Sequence, residues 1–251
     1  MLFRRIVLFG LLVGALGGLL LSAIQFWQVI PVIQGAERFE NARASQVAEP
    51  AREAAQAREH AGQAQPAGEW EPAEGMERTA YTLLSNVLTA AGFALMMLAA
   101  MVVSLKRSPA ARFDWRHGLL WGAAGYVIFF LAPALGLPPE IPGAEAAPLE
   151  SRQLWWVLAV VFTAAGLAVA AFGKSPWRWA ALALLVVPHL VGAPHLDANP
   201  FADHPPDAAA ELAKLAREFV WATALANALF WLALGSASAW VVRRFLKEAV
   251  A

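Results

Sequence analysis

Apolar residues fall in long blocks along this chain of 251 residues, with short polar stretches between them. Six blocks stand out: Ile6 to Ile30, Tyr81 to Leu105, Gly118 to Leu135, Leu154 to Phe172, Trp177 to Ala193 and Phe219 to Val242. A helix rises about 1.5 Å per residue, so about 20 apolar residues cross the hydrocarbon core of a bilayer. The pattern predicts an all-α fold: one polytopic transmembrane helix bundle of about six spans occupying residues 1–251. The block at 177–193 is the shortest, and it contains Pro188 and His189. It reads either as a short span or as a re-entrant segment, which a membrane tolerates where protein or water satisfies the backbone.

The first block follows Arg4 and Arg5, as a secretory signal would. Its uninterrupted part, Ile6 to Ile24, exceeds the roughly 7–15 residues of a signal core, and Gln25-Phe26-Trp27-Gln28 follows in place of a small-residue cleavage site. An uncleaved anchor is expected.

The polar stretches differ from one another. Residues 34–80 form an outward-facing loop with helical and flexible parts. The Ala, Glu, Arg and Gln of residues 34–69 favour a helix that extends the first span, with a looser stretch from Pro66 to Gly75. Residues 41–65 read first as a solvated low-complexity spacer. Residues 136–150 hold four prolines and two glycines, which forbids a continuous helix. Residues 207–218 read as a helix entering the sixth span, with Asp207 as its N-cap.

Charge adds an orientation. The chain carries 19 basic and 19 acidic side chains, a formal net charge of zero. In a six-span arrangement, 11 Lys and Arg with only two acids fall on the side that holds both termini. The other side holds 8 Lys and Arg with 17 Asp and Glu. Basic residues concentrate in short cytoplasmic loops, so both termini are expected in the cytoplasm of an inner (plasma) membrane. Five spans would put Arg243, Arg244 and Lys247 outside, which makes five the poorer count.

Composition then excludes function classes. With 59% hydrophobic and 15% charged residues, against about 25% charged in soluble domains, a soluble enzyme is excluded. Neutrality excludes a basic nucleic-acid binder. Without cysteine there is no disulfide, thiolate metal site or thiol nucleophile. No phosphate-binding or nucleophile-elbow motif occurs, so no catalytic residue is assigned and any ATP-driven step belongs to another chain.

Some features remain that could carry chemistry. Gly10, Gly14 and Gly18, and again Gly118 and Gly122, repeat at four-residue spacing and let helices approach closely, most simply inside one bundle. Gln25, Asn86 and Asn227 are amides within spans, able to line a hydrophilic path. Pro188-His189-Leu190-Val191-Gly192-Ala193-Pro194-His195-Leu196-Asp197 sets two imidazoles and a carboxylate beside a proline-broken helix end. Imidazole with carboxylate suits divalent first-row metals such as cobalt, nickel or zinc, and an ionisable group at membrane depth points to function. His204 and His60 face outward and are weaker candidates. Trp155 and Trp156 read as an interfacial aromatic belt, as do Trp177 and Trp179 on the other side.

Gly136-Leu137-Pro138-Pro139-Glu140-Ile141-Pro142-Gly143, followed by Arg152-Gln153-Leu154-Trp155-Trp156, is an unusual pair of motifs. With Pro188 to Pro194, Trp70 to Thr79, and the glycine-rich first span leading to Pro31 and Glu37, it resembles the cobalt transporter subunit CbtA family over nearly the whole chain. The resemblance implies cobalt uptake linked to cobalamin supply, and a small, single-span, His-rich partner, CbtB, beside the lipid bilayer. The family is commonly described with five spans. It brings no established metal ligands. No permanently bound cofactor is expected, and Co²⁺ is the expected transported ion. The residues themselves suggest Glu37, Glu140, His189 and His195 as an outward-facing capture site, with Gln25, Asn86 and Asn227 along the path. Glu140 reads equally as the end of a turn near Arg152. The alternative to a permease is a scaffold or metal-handling assembly factor that only docks the partner.

Overall fold

The computed structural model describes residues 2–59, 72–73, 75–107, 114–174, 176, 178–196 and 198–246, without the side chains of 44 and 46–59. His60, Pro66, Trp70, Trp177, Asp197 and Lys247 lie outside the described residues. Among those described, the regular structure is entirely helical: α1 (Leu2–Ile24), α2 (Ile30–Glu59), α3 (Met76–Arg107), α4 (Trp115–Tyr126), α5 (Ala132–Gly136), α6 (Leu149–Phe172), α7 (Arg178–Val191) and α8 (Pro206–Val241). Single π turns join α1 to α2 (Gln25–Val29) and α4 to α5 (Val127–Leu131), and a third (Val242–Leu246) follows α8.

Each of the first two π turns stands directly before a proline. Ile30 donates its N–H to Gln25 O and Ala132 to Val127 O, five residues back in both cases, and Pro31 and Pro133 come next. A proline ring inside a helix collides with the carbonyl four residues earlier and supplies no N–H. Widening one turn relieves the collision and lets the helix continue.

The centre of the bundle is α1, α3, α4 and α8, packed through glycines. A Cβ on Gly14 would stand 2.2 Å from Ala91 Cα, and one on Gly18 2.5 Å from Val87 Cα, so α1 and α3 touch backbone to backbone. Gly122 meets Trp231 O and Leu232 Cα in the same way, closing α4 on α8. The glycine repeats therefore serve packing within one chain. Trp231 fills the middle, its ring 4.7 Å from Phe93 and stacked 5.3 Å from Phe129. In the same core Leu98, Met101, Leu234, Val241 and Leu246 are fully buried. At the start of α4, Asp114 accepts the backbone N–H of His117 at 3.0 Å, which caps the helix and lowers the carboxyl's pKa.

Among the described residues, five helices are long and apolar enough to cross a membrane: Leu2–Arg43, Met76–Arg107, Trp115–Gly136, Leu149–Phe172 and Pro206–Leu246. The expected segment at 177–193 forms α7, only 14 residues and about 21 Å long. It nevertheless makes a return pass. Arg178 Nε donates to Ala170 O at the far end of α6, Gly166 packs against Ala181 and Leu185, and Trp155 Nε1 donates to Pro188 O. Gly192, at φ +83, then ends α7, and residues 192–196 that follow have no regular structure. Among the described residues, α7 thus runs back along α6 beside the five long helices. The two ends of the chain meet on one face, where Arg5 Nη1 donates to Phe245 O at 3.2 Å.

Two local expectations are corrected. Trp155 is 4% exposed and hydrogen-bonded inside the α6–α7 hairpin, so it belongs to the interior, not to an interfacial belt; Trp156 beside it is exposed. Asp207 is not an N-cap: α8 begins at Pro206, whose ring suits the first helical position, and Asp207 lies in the first turn.

Candidate functional site

At the end of the bundle away from the termini, four segments are gathered by a small second core. Ala36 of α2, Ile141 of the proline-rich loop, Phe201 of the α7–α8 loop and Leu212 of α8 are buried together. Glu145 N–H donates to Pro200 O at 2.9 Å, and a His204 ring nitrogen lies 3.4 Å from Gly143 O. Gly143 sits at φ +80, where only glycine turns freely. Prolines 138, 139 and 142 stiffen the loop between these anchors, so Glu140 is carried on a braced turn.

Glu140 Oε2 accepts from Arg152 Nη2 at 2.5 Å, joining the loop to the first turn of α6. Arg152 Nε is buried with no hydrogen-bond partner. Two cavities meet at this loop and share Leu137, Pro138, Pro139 and Glu140 as a wall. The larger, about 560 Å³, holds Arg152 and Gln153 among apolar residues of the second π turn, α5 and α6. The smaller, about 310 Å³, contains His195, Glu145 and Arg217.

The structure brings Glu140 and His195 to one cavity and leaves the other two capture candidates apart. Glu37 is held by Arg78 of α3 through both terminal nitrogens, one of them at 3.1 Å. His189 is exposed on α7, its ring 6.0 Å from Trp155 in an edge-on contact. Among the described residues, no three His, Asp or Glu side chains gather closely enough to hold one metal ion. Glu145 and Arg78 are not among the candidates that the sequence pattern offers. Arg152 was visible only as a neighbour of Glu140, inside the R-Q-x-W-W motif. Nothing in the local pattern marks Glu145, because its place depends on the loop pairing with Pro200.

The path candidates are partly assembled. Asn86 Nδ2 donates to Gln25 Oε1 at 2.6 Å and lies 3.0 Å from Ser22 Oγ, linking α3 to the first π turn. Asn227 instead donates to Thr223 O within α8. Gly17 faces Phe230 and Leu234, and Gly35 faces Leu215. Between those two contacts, the π turn lies level with the part of α8 that holds Thr223 and Asn227. Gln28 Oε1 and Thr223 Oγ1 are both buried without partners there. Gln28 is visible in the sequence as a polar residue within the first span, and it shares the π turn before Pro31 with Gln25.

These features describe an apolar bundle with a polar girdle at one level and a braced His/Glu/Arg mouth at one end. No curated protein and no solved structure matches the chain. Residues 3–243 match the family described as probable cobalt transporter subunit (CbtA), and by that match over nearly its whole length the chain belongs to the CbtA family.

Proposed function

We propose that this chain is the permease subunit of a divalent-cation uptake system in the bacterial inner membrane, with Co²⁺ as cargo and cobalamin synthesis as its destination. The single observation that carries this reading is the meeting of Glu140 and His195 at one 310 Å³ cavity. A carboxylate and an imidazole suit borderline first-row cations. Orientation is read from charge: in the six-span arrangement the side that holds both termini carries 11 of the 19 basic residues, which makes it cytoplasmic, and the cavity opens outward. The acidic outer segments raise the local cation concentration before capture. Glu37 and His189 belong to the same outer half and serve as secondary capture groups. Gln25 and Asn86, then Asn227 of α8, form the polar level a cation meets further in. A small single-span subunit rich in histidine supplies ions to this mouth.

The test is radiolabelled cobalt uptake in cells expressing the chain with and without that partner. Uptake above the background of empty cells, abolished in the His195→Ala, Glu140→Ala double variant, is expected. Uptake equal to that background, or unchanged in the double variant, overturns the reading. The want of three clustered ligands among the described residues favours a second reading, a scaffold that only docks the partner. Purified protein in liposomes separates the two, since a scaffold produces no cation flux.

A further inference from the structure

We infer that the crevice between α3, α4 and α6, at the end of the bundle that holds the chain termini, binds one anionic phospholipid. Its phosphate is held by Arg107 and one acyl chain lies between the helices. The inference rests on residence in a bilayer and is independent of the cargo.

The crevice exists because the α6–α7 hairpin is attached to the bundle at one end. Apart from α7, the main neighbours of α6 are the second π turn and α5, both away from the termini. The other half of α6, from Ala164 to Phe172, stands off from α3 and α4 and leaves a cavity of about 560 Å³. Ala100, Val103, Ser104 and Arg107 of α3 line it at the three- and four-residue spacing that puts side chains on one helix face. Opposite them, Ala164, Ala168 and Ala171 keep the α6 wall shallow.

The polar groups of the crevice are graded with depth. Arg107 is the last residue of α3, and Ser104 lies one turn, about 4.5 Å, further in. Trp121 lies about 9 Å along α4 from its first residue, Trp115. Beyond these three the lining is apolar. Among the described residues, none of the three side chains hydrogen-bonds to protein. Guanidinium, then hydroxyl and indole N–H, then hydrocarbon is also the order of phosphate, ester carbonyl and acyl chain in a phospholipid. A guanidinium pairs with phosphate through two N–H bonds. An indole seats its ring among apolar groups and offers its N–H to an acceptor.

Charge selects the class of lipid. Lys106 stands beside Arg107, and Arg116 lies 5.4 Å from the Trp115 ring at the start of α4, on the same face of the bundle. Asp114, the acid at the start of α4, is engaged by His117 at 2.7 Å. A zwitterionic headgroup brings a cation of its own to this basic rim, whereas an anionic one does not. Basic pockets between membrane helices hold anionic headgroups in this way. The lipid then joins α6 to α3 and α4 where the protein leaves them apart.

Native mass spectrometry of the purified full chain, released from neutral detergent and titrated with dioleoyl phosphatidylglycerol or dioleoyl phosphatidylcholine, tests this. The parent is expected to hold one phosphatidylglycerol about fivefold more tightly than phosphatidylcholine, the factor that corresponds to one basic side chain at an anionic membrane surface. Arg107→Gln should abolish the preference and Arg107→Lys should keep it. Arg243→Gln, on the same face but outside the crevice, should keep it as well. Ala168→Trp, which fills the crevice, should lose the bound lipid. The inference is overturned if Arg107→Gln retains the preference, a result that stands even where Ala168→Trp does not fold. It is equally overturned if Arg243→Gln abolishes the preference, which would make it a property of the whole basic face. A parent that holds neither lipid, while Ala168→Cys crosslinks to a second chain, would give the crevice to a helix and overturn it too.

Discussion

Asn86 Nδ2 and Gln25 Oε1 lie 2.6 Å apart, and the bond joins the middle of α3 to the π turn that Pro31 imposes on the first helix. In a straight α-helix Gln25 would have a different rotation relative to the residues beyond it. The widened turn and the hydrogen bond are therefore one construction. Replacing Asn86 by Leu strands the Gln25 carbonyl and removes the bond to Ser22, at a cost of about 1 kcal/mol in unfolding stability, typical of polar pairs between membrane helices. A double-mutant cycle with Gln25→Leu, followed by denaturation in mild detergent, should show the two losses to be non-additive. Additive losses would mean the pair does not couple the helices.

Gly14 and Gly92 lie on neighbouring helices and predict opposite outcomes. A Cβ at Gly14 meets the Ala91 backbone at 2.2 Å, and backbone cannot turn aside as a side chain can. Gly14→Ala should therefore cost roughly 1–3 kcal/mol through separation of α1 from α3. A Cβ at Gly92 meets nothing within 4 Å, so Gly92→Ala should gain up to about 1 kcal/mol of helix propensity. Thermal unfolding of the two variants side by side decides the matter, and equal melting temperatures would contradict the α1–α3 contact.

Trp155 and Trp156 are adjacent yet differ in environment. Trp155→Phe loses the indole bond to Pro188 O and should destabilise the α6–α7 hairpin by about 1 kcal/mol. Trp156→Phe, at an exposed position, should change stability by less than about 0.5 kcal/mol. Protease cutting near Gly173 offers a local readout, faster in the first variant and unaltered in the second.

Asp114 provides a pH signature at the terminal face. Its folded pKa is lowered, first by the backbone N–H of His117 and then by that residue's side chain. A carboxyl with a depressed folded pKa contributes stability above its unfolded value, and the contribution disappears as pH falls through the folded value. Asp114→Ala should therefore be less stable than the parent at neutral pH; the difference should begin to shrink near the ordinary carboxylate value of 3.8 and vanish only as the pH falls through the lowered folded value. Amide exchange at the start of α4 would report it, and a difference that persists unchanged into acid would contradict the assignment.

The bundle was legible in the sequence because membrane spans announce themselves by unbroken apolar length, a property of local chain that needs no knowledge of neighbours. The six blocks, the break at 136–150 and the small-residue faces were all of this kind. So was the charge asymmetry hidden inside a net charge of zero. The number of long spans was harder to read, because α7 is too short to cross alone. Its return pass shows only in its contacts with α6.

What tertiary structure alone decided is pairing. Glu37 and Arg78 are 41 residues apart, and Asn86 and Gln25 are 61 apart. No periodicity connects such residues; helix register does, through glycines that let α1 and α3 touch. The same holds at the outer mouth, where the loop carrying Glu140 meets the loop carrying His195 because Ile141 and Phe201 share one small core. Sequence supplied the candidate ligands and the apolar frame. Packing determined that Glu140 faces an arginine on one side and an imidazole cavity on the other, because a side chain's partner is set by which backbones the core draws together.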